Sequence, residues 1–398
     1  MNMPMLDLQR DVLAPALPVG IRSRLVPQLN GLNMHVLEAG APRSASGERR
    51  PTLLLLHGFP ELAYSWRKVM LPLAEAGYYV VAPDQRGYGA TTGHAQGYDV
   101  DLSTFGMLQL VHDQLALLAA LGLDHVQAVI GHDFGSPVAG WCGLVRPDVF
   151  RSVVMMSAPF AGPPIWPLRT DAQKPLVSVG LSQVLQAVNG LGQLQPPRQH
   201  YQWYYSGPSA NRDMLEAPQG LHAFLRAYYH VKSADWSGNR PHPLPGLSAK
   251  HLGELPTYYV MRADQNMAQT VADHAPTPEQ VRDCHWLTED ELSVYARCYG
   301  HTGFQGGLNW YRCGTSPQVG QALGLFAGRT LDVPAAFISG RADWGTYQFP
   351  GVLDTMSTQV CTRFEGMELI DGAGHWVQQE QPEVLTRHLL AFLSRRSQ

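Results

Sequence analysis

From about residue 25 to 160 the chain alternates short, densely apolar runs with amphipathic stretches. That alternation predicts strands and helices in turn, and therefore an α/β sheet. "LVPQLNGLNMHVLEAG" (25–40) opens the pattern as a hairpin with Asn30-Gly31 at its tight turn. The runs at 52–58, 78–84, 126–133 and 152–159 are too apolar to have a wet face, so helices should cover both sides of the sheet they form. Between them, 62–75 and 102–121 have helical spacing, with Leu108, Val111, Leu115, Leu118 and Leu121 on one stripe.

The character changes at about residue 160. The segment 160–325 is rich in Tyr, Trp, His and Pro and contains helical pieces such as "GLHAFLRAYYHVKSADW". Strand-like runs resume at 331–343 and 364–376, and an amphipathic helix from Pro382 to about Arg395 closes the chain. The predicted organisation is a core of 1–159 and 326–398 split by an inserted helical cap, 160–325. No repeat or low-complexity tract interrupts it.

Composition narrows the function classes. With 45% hydrophobic and 16% charged residues the chain can bury a large core without disulfides. Lys plus Arg (29) nearly balance Asp plus Glu (33) and no basic run occurs, which argues against nucleic acid as a partner. The five cysteines, Cys142, Cys284, Cys298, Cys313 and Cys361, show no C-x-x-C spacing and read as reduced thiols, so a cytoplasmic location is expected. The first twenty residues lack a signal-peptide pattern, and the longest apolar run, "TLLLL", falls far short of the roughly 18 residues of a membrane span. "DQRGYGAT" (84–91) reads as a turn rather than a dinucleotide loop, and no zinc spacing is present, so neither cofactor nor metal is expected.

The candidate chemistry lies in "VIGHDFGS" (129–136). Gly131 and Gly135 bracket Asp133 where an apolar strand gives way to a helix, the context of a nucleophile elbow, but with aspartate in place of serine. The alternative is an Asp that merely caps the helix. A nucleophile here needs an acid and then a histidine further along the chain. "DGAGHW" puts His375 on a glycine-rich loop, and "SGRADWG" puts Asp343 just past a strand. Asp332, Asp354 and above all Asp371 also lie before His375, and sequence leaves that choice open. "LLHGFPE" would present the Phe59 N–H beside that of Phe134 as an oxyanion hole, with His57 holding the loop. No G-x-S-x-G occurs as a competing elbow.

The ordered series "HGFPE", "GHDFGS", "SGRADWG" and "GAGHW" resembles the α/β-hydrolase fold, and aspartate at the elbow narrows it to epoxide hydrolases and haloalkane or haloacetate dehalogenases. "WLTEDELSVYARCYGHTGFQGGLNWYR" (286–312) is similar to the end of the cap in soluble epoxide hydrolases, where the tyrosine of "NWYR" donates to the epoxide oxygen; that position is Tyr311. A second family tyrosine falls on Tyr201 of "HYQWYYSG", with Tyr204 and Tyr205 as neighbouring alternatives. The resemblance implies a mostly parallel eight-stranded sheet with helices on both faces and an inserted helical cap. It also implies an apolar epoxide and water as reactants, and a pocket touching Phe134, Trp344 and Trp376.

This chain departs from the family in carrying Phe134 where Trp often follows the nucleophile. A phenyl ring has no N–H for a departing halide, which weakens the dehalogenase reading more than the epoxide one. Hydrolysis of another natural-product ester or lactone, and a silent binding protein of the same fold, are the remaining alternatives. The substrate, its enantiomer and homo-oligomerisation are left open.

Overall fold

The structure, a computed structural model, describes residues 7–166 and 179–396. Residues 167–178 of the predicted cap lie outside the described residues, as do residues 1–6 and 397–398.

The hairpin forms as its sequence predicts. β1 (Ile21–Leu29) and β2 (Leu32–Ala39) pair antiparallel, and Asn30 and Gly31 take φ of 51° and 82°. Two consecutive positive φ values match the right-handed twist of the flanking strands. β3 (Thr52–Leu56), β4 (Tyr79–Pro83), β5 (Ala128–His132) and β6 (Val153–Met156) follow. A short ribbon, β7 (Arg198–His200) with β8 (Val260–Arg262), precedes β9 (Ala335–Gly340) and β10 (Phe364–Ile370). The main sheet has eight strands in the order β1-β2-β4-β3-β5-β6-β9-β10, parallel from β4 onward.

Every residue of β3, β4, β5, β6 and β9 is buried, which is why these strands read as continuous apolar runs. Alternate side chains feed two cores. Leu54, Leu56, Val129, Val153 and Met155 face one cluster, and Leu53, Leu55, Ile130, Val154 and Met156 the other. α1 (Arg67–Glu75) and the terminal helix Pro382–Ser394 cover the second face; α2 (Met107–Ala120) and α3 (Gly135–Val145) cover the first. The buried face of α2 is shifted from the predicted stripe: Leu110, Val111, Leu117 and Leu118 are inside, and Leu108, Leu115 and Leu121 are half-buried. The cause is ionic. Asp113 is buried beside Arg86, whose Nε lies 2.7 Å from its carboxylate.

Between β6 and β9 the chain is mainly helical, with helices Tyr201–Tyr205, Leu221–Lys232, Glu289–Thr302 and Gln305–Thr315. Their apolar residues, including Phe224, Tyr295 and Trp310, join the cluster on the first sheet face. Hydrogen bonds fix this insertion to the loop after β3: Tyr229 Oη donates to Pro60 O at 2.8 Å and Tyr299 Oη to Glu61 O at 3.1 Å. Among the described residues no helix is long and apolar enough to cross a membrane.

Candidate active site

β5 ends at His132 and α3 begins at Gly135, so Asp133 and Phe134 make the whole turn. Asp133 adopts φ 52°, a left-handed conformation that costs a non-glycine residue of order 1–3 kcal/mol. The turn closes so tightly that a Cβ on Gly131 would fall 2.0 Å from Gly135 O, and one on Gly135 would fall 2.2 Å from Leu56 O. The glycines at these two positions are therefore steric requirements, and the strain on Asp133 is held in place by the packed strand and helix on either side.

The Asp133 carboxylate is buried between two loops. Oδ1 accepts a hydrogen bond from the Phe59 backbone N–H at 2.9 Å, and Oδ2 lies 3.2 Å from His375 Nε2. The latter pair is close but poorly aligned, leaving Nε2 without a hydrogen-bond partner among the described residues. Burial pushes the Asp133 pKa up, but His375 beside it and the charges of His375, Lys232 and His132 outweigh burial and hold it well below the usual carboxylate range. The cis peptide Phe59-Pro60 follows the donor, and His57 holds this loop by accepting from Gln85 N at 3.1 Å.

His375 sits on the loop after β10 with Nδ1 3.1 and 3.2 Å from the two carboxylate oxygens of Asp343. Asp343 is itself fixed by the Gly345 N–H at 2.7 Å and the Ser339 hydroxyl at 3.1 Å. Asp371 points elsewhere: it is 82% exposed and paired with Arg341 on the surface. Asp332 bonds Thr330 and Thr362. Burial alone would lower the His375 pKa; the Asp343 charge and contact with Asp133 oppose both burial and the Lys232 ammonium and raise it to about 9.

Aromatic side chains of the insertion pack against the two residues that flank this carboxylate, Phe134 and Phe59. The Tyr311 ring packs edge-on to Phe134 at 5.1 Å and Phe59 at 5.4 Å, and lies 5.8 Å from Tyr201. Tyr201 Oη donates to Gln348 Oε1 at 3.2 Å. Tyr204 turns to Asp213, and Tyr205 to Tyr228. Burial, then the negative charge of Asp133, raises the pKa of both Tyr201 and Tyr311 well above the ordinary phenol value, so both remain protonated donors. The Phe134 ring contacts Trp310 and Tyr311. Trp344 is buried with its indole N–H unpartnered among the described residues, whereas Trp376, next to His375 on the same loop, donates to Tyr229 O at 2.8 Å.

Residues 51–230 match the family model described as the alpha/beta hydrolase fold. The chain is 29% identical over 395 residues to epoxide hydrolase A of Mycobacterium tuberculosis, covering 94% of this chain and 98% of that protein. The solved structure of potato (Solanum tuberosum) epoxide hydrolase is similar with a TM-score of 0.67 and 30% identity, over 94% of this chain and 99% of that one. The chain belongs to the epoxide hydrolase family of the α/β-hydrolase fold. An epoxide hydrolase from an endophytic Streptomyces is similar over 95% of this chain and 96% of its own, with a TM-score of 0.71 and 28% identity. The likeness to these epoxide hydrolases thus takes in the insertion as well as the sheet.

Several groups of this family member escape a reading of sequence. Glu61 of "HGFPE" is buried with Oε2 2.6 Å from His132 Nδ1, and accepts from Gln378 and Gln379. His132 in turn reaches His375 O through Nε2 at 2.7 Å, so the elbow and the histidine loop share one network. Lys232 is buried with its ammonium 4.9 Å from the Tyr259 ring centre, 5.3 Å from Tyr228 and 5.7 Å from Trp376. Cation–π contacts of this kind stabilise an ammonium away from water. A lysine within the aromatic run "YYHVKS" was the available signal.

Proposed function

We propose that the protein hydrolyses an epoxide to a vicinal diol through an ester on Asp133, and that the insertion, 160–325, acts as a cap carrying the acids. The supporting observation is a buried carboxylate at a strained turn, with a histidine–aspartate pair on one side and two protonated phenols whose rings pack together and against Phe134.

Asp133 Oδ2 attacks a ring carbon while the ring C–O bond breaks, and the leaving oxygen takes its proton from Tyr311 or Tyr201. Oδ1, already at the Phe59 N–H, becomes the ester carbonyl. His375, oriented by Asp343, then takes a proton from a water that adds to the Asp133 carboxyl carbon. The tetrahedral oxyanion is held by the N–H groups of Phe59 and Phe134. Its collapse expels the diol oxygen, protonated by His375, and the phenolate regains its proton as the carboxylate is restored. Halide chemistry has less support, because Phe134 offers no side-chain donor and the Trp310 N–H is committed to Arg86 O at 2.9 Å, which leaves the Trp344 indole without a second side-chain donor from either to form a halide-binding pair. Styrene oxide should therefore give phenylethanediol and haloalkanes no halide; the opposite pattern would overturn the reading.

The acid role is separable from the nucleophile. Tyr311→Phe keeps the ring packing but removes the donor, and should slow ester formation by about 10²-fold in rapid-quench measurements while leaving the melting temperature nearly unchanged. An unchanged rate of ester formation would remove Tyr311 from the mechanism.

The pH dependence follows from the charges around His375. In the free protein its pKa is held up to about 9. Esterification abolishes the Asp133 charge, so the pKa falls in the intermediate, and hydrolysis needs the neutral ring. The rate of ester hydrolysis should rise with pH to a plateau, with a midpoint below that of the free protein. Asp343→Asn removes the main charge that raises the pKa, so it should move the midpoint lower still and cut the plateau by at least about 10-fold. Asp371→Asn, which breaks only a surface pair, should change kcat by less than about twofold. The reverse ranking in a kcat–pH profile would reassign the acid.

A further inference from the structure

The end of the helix Leu221–Lys232 and the loop carrying His375 complete one another. The last four carbonyls of a helix lack intrahelical donors. Here Tyr229 O accepts from Trp376 Nε1 at 2.8 Å, His230 O from Ser233 N at 3.0 Å, Val231 O from Asn239 Nδ2 at 2.9 Å and Lys232 O from His375 N at 2.8 Å. The histidine loop thus supplies two of the four donors, one from each of its central residues. Gly374 makes the contact intimate, since a Cβ there would fall 2.5 Å from Lys232 O and 2.7 Å from Ala234 N.

Glu380 binds the two sides of this junction together. Its Oε2 accepts from the Ala234 N–H at 2.8 Å and the Gly374 N–H at 2.9 Å, and its Oε1 from the Trp376 N–H at 2.9 Å. One carboxylate therefore holds the residues on either side of His375 and the chain leaving the helix of the insertion. We propose that Glu380 is a positioning residue that holds the histidine loop against the end of the helix Leu221–Lys232, so that His375 is aligned for ester hydrolysis, while the insertion that carries the phenols stays fixed to the loop after β3 through Tyr229 and Tyr299. The proposal rests on the two-step reading above. It separates the half-reactions: Asp133 and the phenols form the ester, and only its hydrolysis needs His375.

Glu380→Gln tests this, because an amide offers one acceptor oxygen and turns its NH₂ toward an N–H that also donates. Gly374→Ala disturbs the same junction from the other side and leaves the carboxylate intact. Single-turnover rapid quench with styrene oxide, reading ester by intact mass, gives both rates. For each variant, ester hydrolysis is expected to slow by at least about tenfold and ester formation by less than about threefold, since misplacement of a catalytic group by an ångström suffices for such losses. Melting curves establish that each variant folds, and if Glu380→Gln does not, the ratio measured on Gly374→Ala decides. Parallel slowing of both steps, or no slowing of either, would overturn the positioning role. A parent protein that forms neither ester nor diol would instead overturn the epoxide reading.

Discussion

Asp133→Ala is expected to abolish turnover of an epoxide, with kcat falling by at least about 10⁴-fold, the scale seen when a covalent nucleophile is removed. The Phe59 N–H, His375 and the two phenols remain in such a variant, so it isolates covalent attack from general electrostatic help. Alanine in the left-handed turn keeps the strain and loses the hydrogen bond from Phe59, so some stability should be lost as well. Diol formation by the folded variant at even a hundredth of the parent rate, about 10⁻², would mean that water opens the ring directly and that Asp133 serves another purpose.

His375→Gln should stop the reaction halfway. Glutamine can approximate the shape of the ring without serving as a base, so the ester should form at near-parental rate and decay slower by about 10³-fold. Intact-protein mass would then show an adduct equal to the epoxide, located by peptide mapping on the segment containing Asp133. If ester formation slowed as much as its hydrolysis, His375 would have to act in ring opening too. Its proximity to Asp133 Oδ2, 3.2 Å, makes this a real comparison, because the ring contributes to the low pKa of Asp133.

The legibility of this protein in its sequence has physical causes. Parallel strands buried on both faces must be apolar throughout, so 52–58 and 126–133 could be read directly, and Asn30-Gly31 could only be a tight hairpin. The elbow was equally visible, because its two glycines are steric necessities. Asp343 and Asp371 could not be separated, since each follows a strand closely; their opposite fates depend on which loop turns toward Asp133. Tyr201, Tyr204 and Tyr205 stand at helical spacings of three and four and share one face, so spacing could not say which phenol meets Gln348 and which meets Asp213. The three-residue strands β7 and β8 are too short for alternation to register. Glu61 and Lys232 were hidden for another reason: a charged residue in a sequence reads as surface until its partners, His132 for one and a set of aromatic rings for the other, are known.

The charge pattern of the buried site gives these residues a common purpose. Asp133 and Asp343 flank His375 and raise its pKa, while Lys232 acts in the opposite sense on it and helps keep Asp133 ionised. In the proposed reaction, ester formation moves the negative charge off Asp133, which lies 3.2 Å from His375 Nε2, and onto a phenol, and this shifts the balance at His375 toward the neutral base before the water step.

The central claim, a covalent ester on Asp133, is tested most directly by a single turnover of styrene oxide in water enriched in heavy oxygen, with protein in excess. Hydrolysis at the Asp133 carboxyl carbon leaves the oxygen from water in the protein. The first-turnover diol should therefore be unlabelled, and the peptide containing Asp133 should gain the mass of the heavy isotope. Immediate label in the diol, with none in that peptide, would contradict the account.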